Sequence, residues 1–133
     1  MKLLIINGPN LNLLGRREVG VYGRENLDQV INWVSENIKS SELDLIWFQS
    51  NSEGEIIDKL HWAIDNQIEG VIINPGAYTH YSYAIRDAIS SIEIPTIEVH
   101  LSNIVDREDF RKKSVIRDVC KNQIKGKGKE GYL

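Results

Sequence analysis

Apolar and polar positions alternate between two rhythms along this chain. Leu3-Leu4-Ile5-Ile6 is an unbroken apolar run, and a run that does not alternate predicts a strand over residues 2–7 buried on both faces. Leu27, Val30, Ile31, Val34 and Ile38 then recur at helical spacing. Asn26-Leu27-Asp28-Gln29 ahead of them reads as a helix start, with Asn26 as cap and Gln29 reaching back. Residues 43–48 read as a second strand. Ser52-Glu53-Gly54-Glu55 is again a capping-box pattern, followed by the stripe Ile56, Ile57, Leu60 and Ile64.

The alternation continues to the end of the chain. Residues 70–74 predict a third strand, stopped by Pro75-Gly76. Residues 83–91 predict a third helix with Ala84, Ile85, Ala88 and Ile89 on its apolar side. Residues 95–100 form a fourth strand, 107–110 a short helical turn, and 122–125 a weak fifth strand with lysines nearby. Strands alternating with helices of this length predict an α/β domain of parallel βαβ units with right-handed crossovers. Open parallel sheets bind ligands outside the carboxyl ends of their strands. Asn10, Gln49, Asn74 and His100 all fall at or just past such ends, so four polar groups are expected on one edge.

One interval breaks the rhythm. From Leu11 to Gly23 the chain is polar and punctuated by glycine, and carries Arg16, Arg17, Glu18 and Tyr22. Loops longer than about a dozen residues are uncommon in compact domains and often serve as lids. A lid over about residues 15–24 is expected to cover the edge where the polar groups gather.

Composition narrows the picture. The 133 residues suit one domain, 1–133, with a real core. The net charge of −3 argues against nucleic acid or an anionic membrane as partner. No apolar run approaches the roughly 18 residues of a membrane span, and the opening run breaks too early for a secretory signal. Cys120 is the single cysteine, which excludes an intrachain disulfide and a cysteine-rich metal site. A cytoplasmic location fits.

Several residues are chemically suggestive. Glu98 precedes His100 by two positions, so on a strand both side chains share a face. A carboxylate beside an imidazole orients the ring and favours its charged form, which suits a general acid; a structural histidine is the equal alternative. Tyr22 follows Arg17 by five positions. A phenol of pKa about 10 is a poor base near neutrality unless guanidinium groups stabilise its anion, and a surface tyrosine is the plainer reading. Asn10 and Asn74 are turn residues by default, and also amides able to donate to an oxyanion. His80 lies in a loop past the third strand. Asp87 reads as a solvated helix charge and His61 as structural. The charged run from Arg107 to Lys113 offers an arginine that can clamp a carboxylate. Lys125, Lys127 and Lys129 mark a solvated tail, since no aromatic series accompanies them.

Specific motifs then connect these residues. Asn7-Gly8-Pro9-Asn10-Leu11, Leu14-Gly15-Arg16-Arg17-Glu18 and Tyr22-Gly23 resemble the opening of type II 3-dehydroquinate dehydratase. So do Gln49-Ser50-Asn51-Ser52-Glu53-Gly54-Glu55, the segment from Ile73 to Ser82, and Glu98-Val99-His100-Leu101-Ser102-Asn103 followed by Arg107-Glu108-Asp109-Phe110-Arg111. The match runs over residues 2–114 in the family's order. The resemblance implies a flavodoxin-like three-layer sandwich with a parallel sheet of about five strands. It implies reversible loss of water from 3-dehydroquinate to give 3-dehydroshikimate through an enolate, without metal or organic cofactor, in a dodecamer of trimers.

Carried over by residue, Tyr22 would be the base and Arg17 would help to make it phenolate. Asn10 would support the enolate, and His100, backed by Glu98, would protonate the departing hydroxyl. Asn74, His80, the backbone at Leu101 and Ser102, and Arg111 would bind the substrate, and Asp87 would reach the site of a neighbouring subunit. The tail, about residues 115–133, is atypical: the resemblance returns only at Gly126, Gly128 and Gly131-Tyr132-Leu133, and the family's last helix is expected to be absent.

Two other readings compete. A flavin carrier or phospho-receiver would want a hydroxyl- and glycine-rich phosphate loop or a carboxylate cluster after the first strand, where Asn7-Gly8-Pro9-Asn10 stands instead. A paralogue that keeps the shell without turnover is opposed by the intact set Asn10, Arg17, Tyr22, Asn74, His80, His100 and Arg111.

Overall fold

The computed structural model describes residues 1–16, 25–38, 43–101, 113–127 and 131–132. Arg17, Tyr22, Ser102, Arg111, most of the expected lid and the expected turn at 107–110 lie outside them. Five strands are formed: β1 (Lys2–Asn7), β2 (Asp44–Gln49), β3 (Gly70–Asn74), β4 (Thr96–His100) and β5 (Asn122–Lys125). Among the described residues, three helices connect the first four strands: α1 (Leu27–Asn37), α2 (Glu53–Asp65) and α3 (Tyr83–Ile92). All pairings are parallel, in the order β2-β1-β3-β4-β5. That is the flavodoxin-like order, with its switch point between β1 and β3.

Two apolar layers sandwich the sheet. Leu4 and Ile6 of β1 point into one, with Ile56 and Leu60 of α2 and Ile85 and Ile89 of α3. Ile5 points into the other, with Val30 and Val34 of α1 and Val99 of β4. Alternate residues of one strand thus fill opposite layers, which is why its sequence lacks a polar beat. Each fully buried side chain of this kind contributes about 1.5–3 kcal/mol.

The start of α1 forms as its sequence suggests. The Asn26 side chain accepts from the Gln29 amide at 2.8 Å, and the Gln29 side chain accepts from the Asn26 amide at 2.8 Å. The start of α2 is only half such a box. Ser52 Oγ accepts from the Glu55 amide at 3.2 Å, but the Glu55 carboxylate accepts from the Ser50 hydroxyl instead of reaching back. Ser50 Oγ takes the Ser52 amide at 2.9 Å in its place. Two stripe residues also differ from expectation. Ile64 is exposed and Ala63 fills the core position, while Ala84 faces out and Ile92 closes the buried side of α3. β5 does form, at the sheet edge, where half-buried positions tolerate its lysine.

Glycine is required where β1 and β3 end. Gly8 donates its amide to the Asn74 carbonyl at 2.7 Å, and a Cβ on Gly8 would lie 2.5 Å from the Pro75 carbonyl oxygen. Gly76 has φ +60, and a Cβ there would lie 3.0 Å from the Pro9 carbonyl oxygen. The two loops therefore interlock backbone to backbone. Gly8→Ala is expected to destabilise the fold by about 1–3 kcal/mol, the usual cost of overpacking. A thermal melt checks this, and an unchanged midpoint contradicts it.

Candidate active site

The carboxyl edge of the sheet is built by register. Asn7 lies opposite Gln49 on one side and Asn74 on the other, so three amide side chains end three adjacent strands. Beyond them, Asn51 ties the loops together. Its Oδ1 accepts from the Asn10 amide at 2.9 Å and from Gln49 Nε2 at 3.3 Å, and its carbonyl accepts from the Tyr78 hydroxyl at 2.8 Å. Asn10 sits in the left-handed region at φ 68, which asparagine tolerates better than most residues. Its exposed side chain is thus presented from a backbone fixed by Asn51.

At the end of β4, Glu98 and His100 share a face, as two-residue spacing on a strand requires. His100 Nε2 donates to Glu98 Oε2. Glu98 is fully buried, and also accepts from the Ser114 hydroxyl at 2.9 Å and from Gln123 Nε2 at 2.9 Å. Burial raises its carboxyl. The hydrogen bond and charge of His100, with bonds from Gln123 and Ser114, outweigh that effect and hold it below its ordinary value. The site therefore contains a carboxylate that stays ionised and fixes one ring nitrogen. The pairing occupies Nε2 and fixes the orientation of the His100 ring.

A strap at residues 113–115 ties His80 and Glu98 to one segment. His80 Nδ1 donates to the Lys113 carbonyl at 2.7 Å. Ser114 reaches Glu98, Val115 donates its amide to the Thr79 carbonyl at 2.8 Å, and the Val115 carbonyl accepts from Arg86 at 2.8 Å. His80 is thereby held directly by Lys113, and His100 only through Glu98, which Ser114 bonds.

The structure brings Asn10, Asn74, His80, Glu98, His100 and Leu101 to this edge. Asn74, His100 and Leu101 are buried and His80 half-buried. Asp87 is exposed on α3, and His61 is exposed on α2. Cys120 is pushed up to about 12 by burial and then by the Glu98 charge, which keeps it an unreactive thiol near neutrality. Among the described residues, no group of histidine, cysteine and carboxylate side chains is arranged to hold a metal ion.

Sequence reasoning missed Asn51, Ser114, Gln123 and Tyr132 as contributors. Gln123 pairs in register with Glu98 across β4 and β5, a signal that needs the strand alignment first. Tyr132 places its hydroxyl 2.6 Å from Asn7 Oδ1.

A doubly wound sheet that gathers an imidazole–carboxylate pair, a second imidazole and several amides along its carboxyl edge has the groups of an α/β enzyme for acid–base chemistry on a small polar ligand. The comparisons are specific. The family model for dehydroquinase class II matches residues 1–133. A 3-dehydroquinate dehydratase of Caldicellulosiruptor saccharolyticus is 57% identical over 132 residues, covering 99% of this chain and 91% of that protein. The crystal structure of type II dehydroquinase from Butyrivibrio crossotus superimposes with a TM-score of 0.96 at 54% identity, covering 99% of this chain and 92% of that one. That of the type II dehydroquinase from Propionibacterium acnes gives 0.92 at 40% identity, with 98% and 90% covered. The chain belongs to the dehydroquinase class II family. Dehydration of dehydroquinate, a hydro-lyase reaction of the shikimate pathway, is the family's function.

Proposed function

We propose that this chain eliminates water from 3-dehydroquinate by an enolate route, with the lid carrying the base and the sheet carrying the acid. Tyr22 removes the proton alpha to the ketone, and Arg17 stabilises the phenolate that does so. The electron pair passes to the ketone oxygen, where Asn10 supports the enolate. As the enolate collapses, the beta C–O bond breaks and His100 gives its proton to the departing hydroxyl, releasing water and leaving a conjugated enone. Glu98 compensates the positive charge of the protonated ring. Asn74, His80, the backbone at Leu101 and Ser102, and Arg111 hold the substrate's hydroxyls and carboxylate. An enolate pathway requires no lysine nucleophile.

The observation that supports this reading most is the Glu98–His100 pair. A buried carboxylate with three side-chain donors would be an expensive way to fix a ring that did nothing. Closing the lid would exclude water and strengthen each of these charge interactions. The test is to mix the protein with 3-dehydroquinate and follow the ultraviolet absorbance of the enone. An initial rate of absorbance increase that does not scale with enzyme concentration rejects the proposal.

The chain is further proposed to act in the cytoplasm as a dodecamer of trimers, with Asp87 entering a neighbouring copy's site. The exposure of Asp87 on α3 leaves it available for such a contact. Among the described residues no helix is long and apolar enough to cross a membrane. Asp87→Ala is expected to raise KM about tenfold with little change in kcat, as loss of one charged hydrogen bond would. A monomer in size-exclusion chromatography, or an unchanged KM, contradicts the role.

A further inference from the structure

We infer that Tyr132 is a positioning residue for substrate binding: its hydroxyl, set between Asn7 and Asn74, fixes the orientation of the Asn74 amide. The inference rests on the proposal that Asn74 binds substrate. Tyr132 is 5% exposed. Its ring belongs to the apolar layer that holds Ile5, Val99 and Leu101, and meets Trp47 edge-on at 5.6 Å. Gly131 lets this segment lie on the sheet, since a Cβ there would stand 3.1 Å from Val99 Cγ1. Packing alone would be served as well by phenylalanine. A buried hydroxyl is costly unless it is hydrogen-bonded, and this one is bonded to the two central strands.

The bonds have a defined direction. Asn7 Oδ1 accepts the phenol proton at 2.6 Å. The phenol oxygen therefore has only lone pairs to offer Asn74, whose Nδ2 donates to it from 3.5 Å. On its other side, Asn74 Oδ1 accepts from the Gly76 amide at 3.3 Å. Flipping the Asn74 amide would set Nδ2 against the Gly76 N–H and Oδ1 against the phenol oxygen, two repulsive contacts in place of two attractive ones. Burial pushes the phenol up to about 12, opposed by the Asn74 bond, so the proton stays in place near neutrality. One amide orientation is thus selected before substrate arrives. Its second N–H is thereby fixed in direction for the substrate hydroxyl that Asn74 is proposed to bind.

The test is a double-mutant cycle on purified protein with 3-dehydroquinate. Asn74→Ala alone is expected to lower kcat/KM by about tenfold or more. Tyr132→Phe keeps the ring, and is expected to raise KM about fivefold or more with kcat changed by less than about twofold. In the double variant the Phe substitution is expected to add nothing to the Asn74→Ala loss, because the group it positions is gone. A purely structural tyrosine would lower the melting temperature without moving KM, or would multiply its loss into the double variant; either result overturns the inference. An Asn74→Ala variant with unchanged kcat/KM overturns it too, and with it the binding role of Asn74. Should Tyr132→Phe unfold at the assay temperature, Asn7→Ser withdraws the Oδ1 that holds the phenol proton, which frees the hydroxyl to meet either Asn74 orientation without touching the ring. The KM rise is expected there as well, and its absence is equally decisive.

Discussion

Tyr22→Phe is expected to lower kcat by about 10²–10⁴-fold, the usual contribution of a positioned acid–base group, while the chain still folds and still binds a carboxylate analogue of the product. The substitution removes one oxygen and leaves the ring. Phenylalanine cannot take a proton, so the step that begins the reaction loses its base, and nothing else in the proposed site replaces it. About 3–5 kcal/mol of transition-state stabilisation is at stake. The contrast between kcat and analogue binding is what identifies a base. A lid residue that only contacted substrate would change KM and the analogue's Kd together. Stopped-assay kinetics with titration calorimetry of the analogue provides the check, and unchanged turnover rejects Tyr22 as base.

The second large effect is expected at Glu98. Glu98→Gln keeps the shape but removes the charge, and its amide nitrogen would face hydroxyl and amide donors that now serve a carboxylate. The His100 ring loses both its fixed partner and the compensating charge. kcat is expected to fall by at least about 10²-fold, within the range for a general acid.

The same substitution tests the electrostatics through stability. The Glu98 carboxyl is held below its ordinary value of 4.5 in the folded chain. Its contribution to stability is therefore complete above that ordinary value and is lost as pH falls through the lowered folded value. The gap in melting temperature between the unaltered chain and Glu98→Gln is expected to narrow on acidification below 4.5. A gap that stays constant across that window contradicts a depressed Glu98, and a kcat within about twofold contradicts its support of the acid.

The architecture was legible where the signal is local or periodic. The unbroken run at Leu3–Ile6 and the Asn26–Gln29 box depend on neighbours a few residues apart, and both appear as expected. The site edge was legible because strand ends are marked by abrupt changes, as at Asn74-Pro75-Gly76. The Ser52 box was only half right because Ser50, outside the four-residue pattern, competes for the Glu55 carboxylate. Ile64 and Ala84 were misplaced because helical spacing defines a stripe but not how wide an arc of it the sheet covers.

What the sequence concealed are the partners of the catalytic candidates. Ser114 and Gln123 converge on Glu98 from the strap and from the edge strand, and Tyr132 reaches Asn7 across 125 positions of chain. No local pattern announces a contact that only a parallel register and a returning tail create. These residues orient the groups that a motif names, and they become visible only once the sheet is assembled.

The most direct measurement of the central claim uses 3-dehydroquinate carrying deuterium at one of the two alpha positions, on the ring face opposite the departing hydroxyl. A phenol on the lid and an imidazole on the sheet acting from opposite faces predict a product without deuterium, as read by mass spectrometry. A product that keeps the label would place base and acid on the same face and contradict the account.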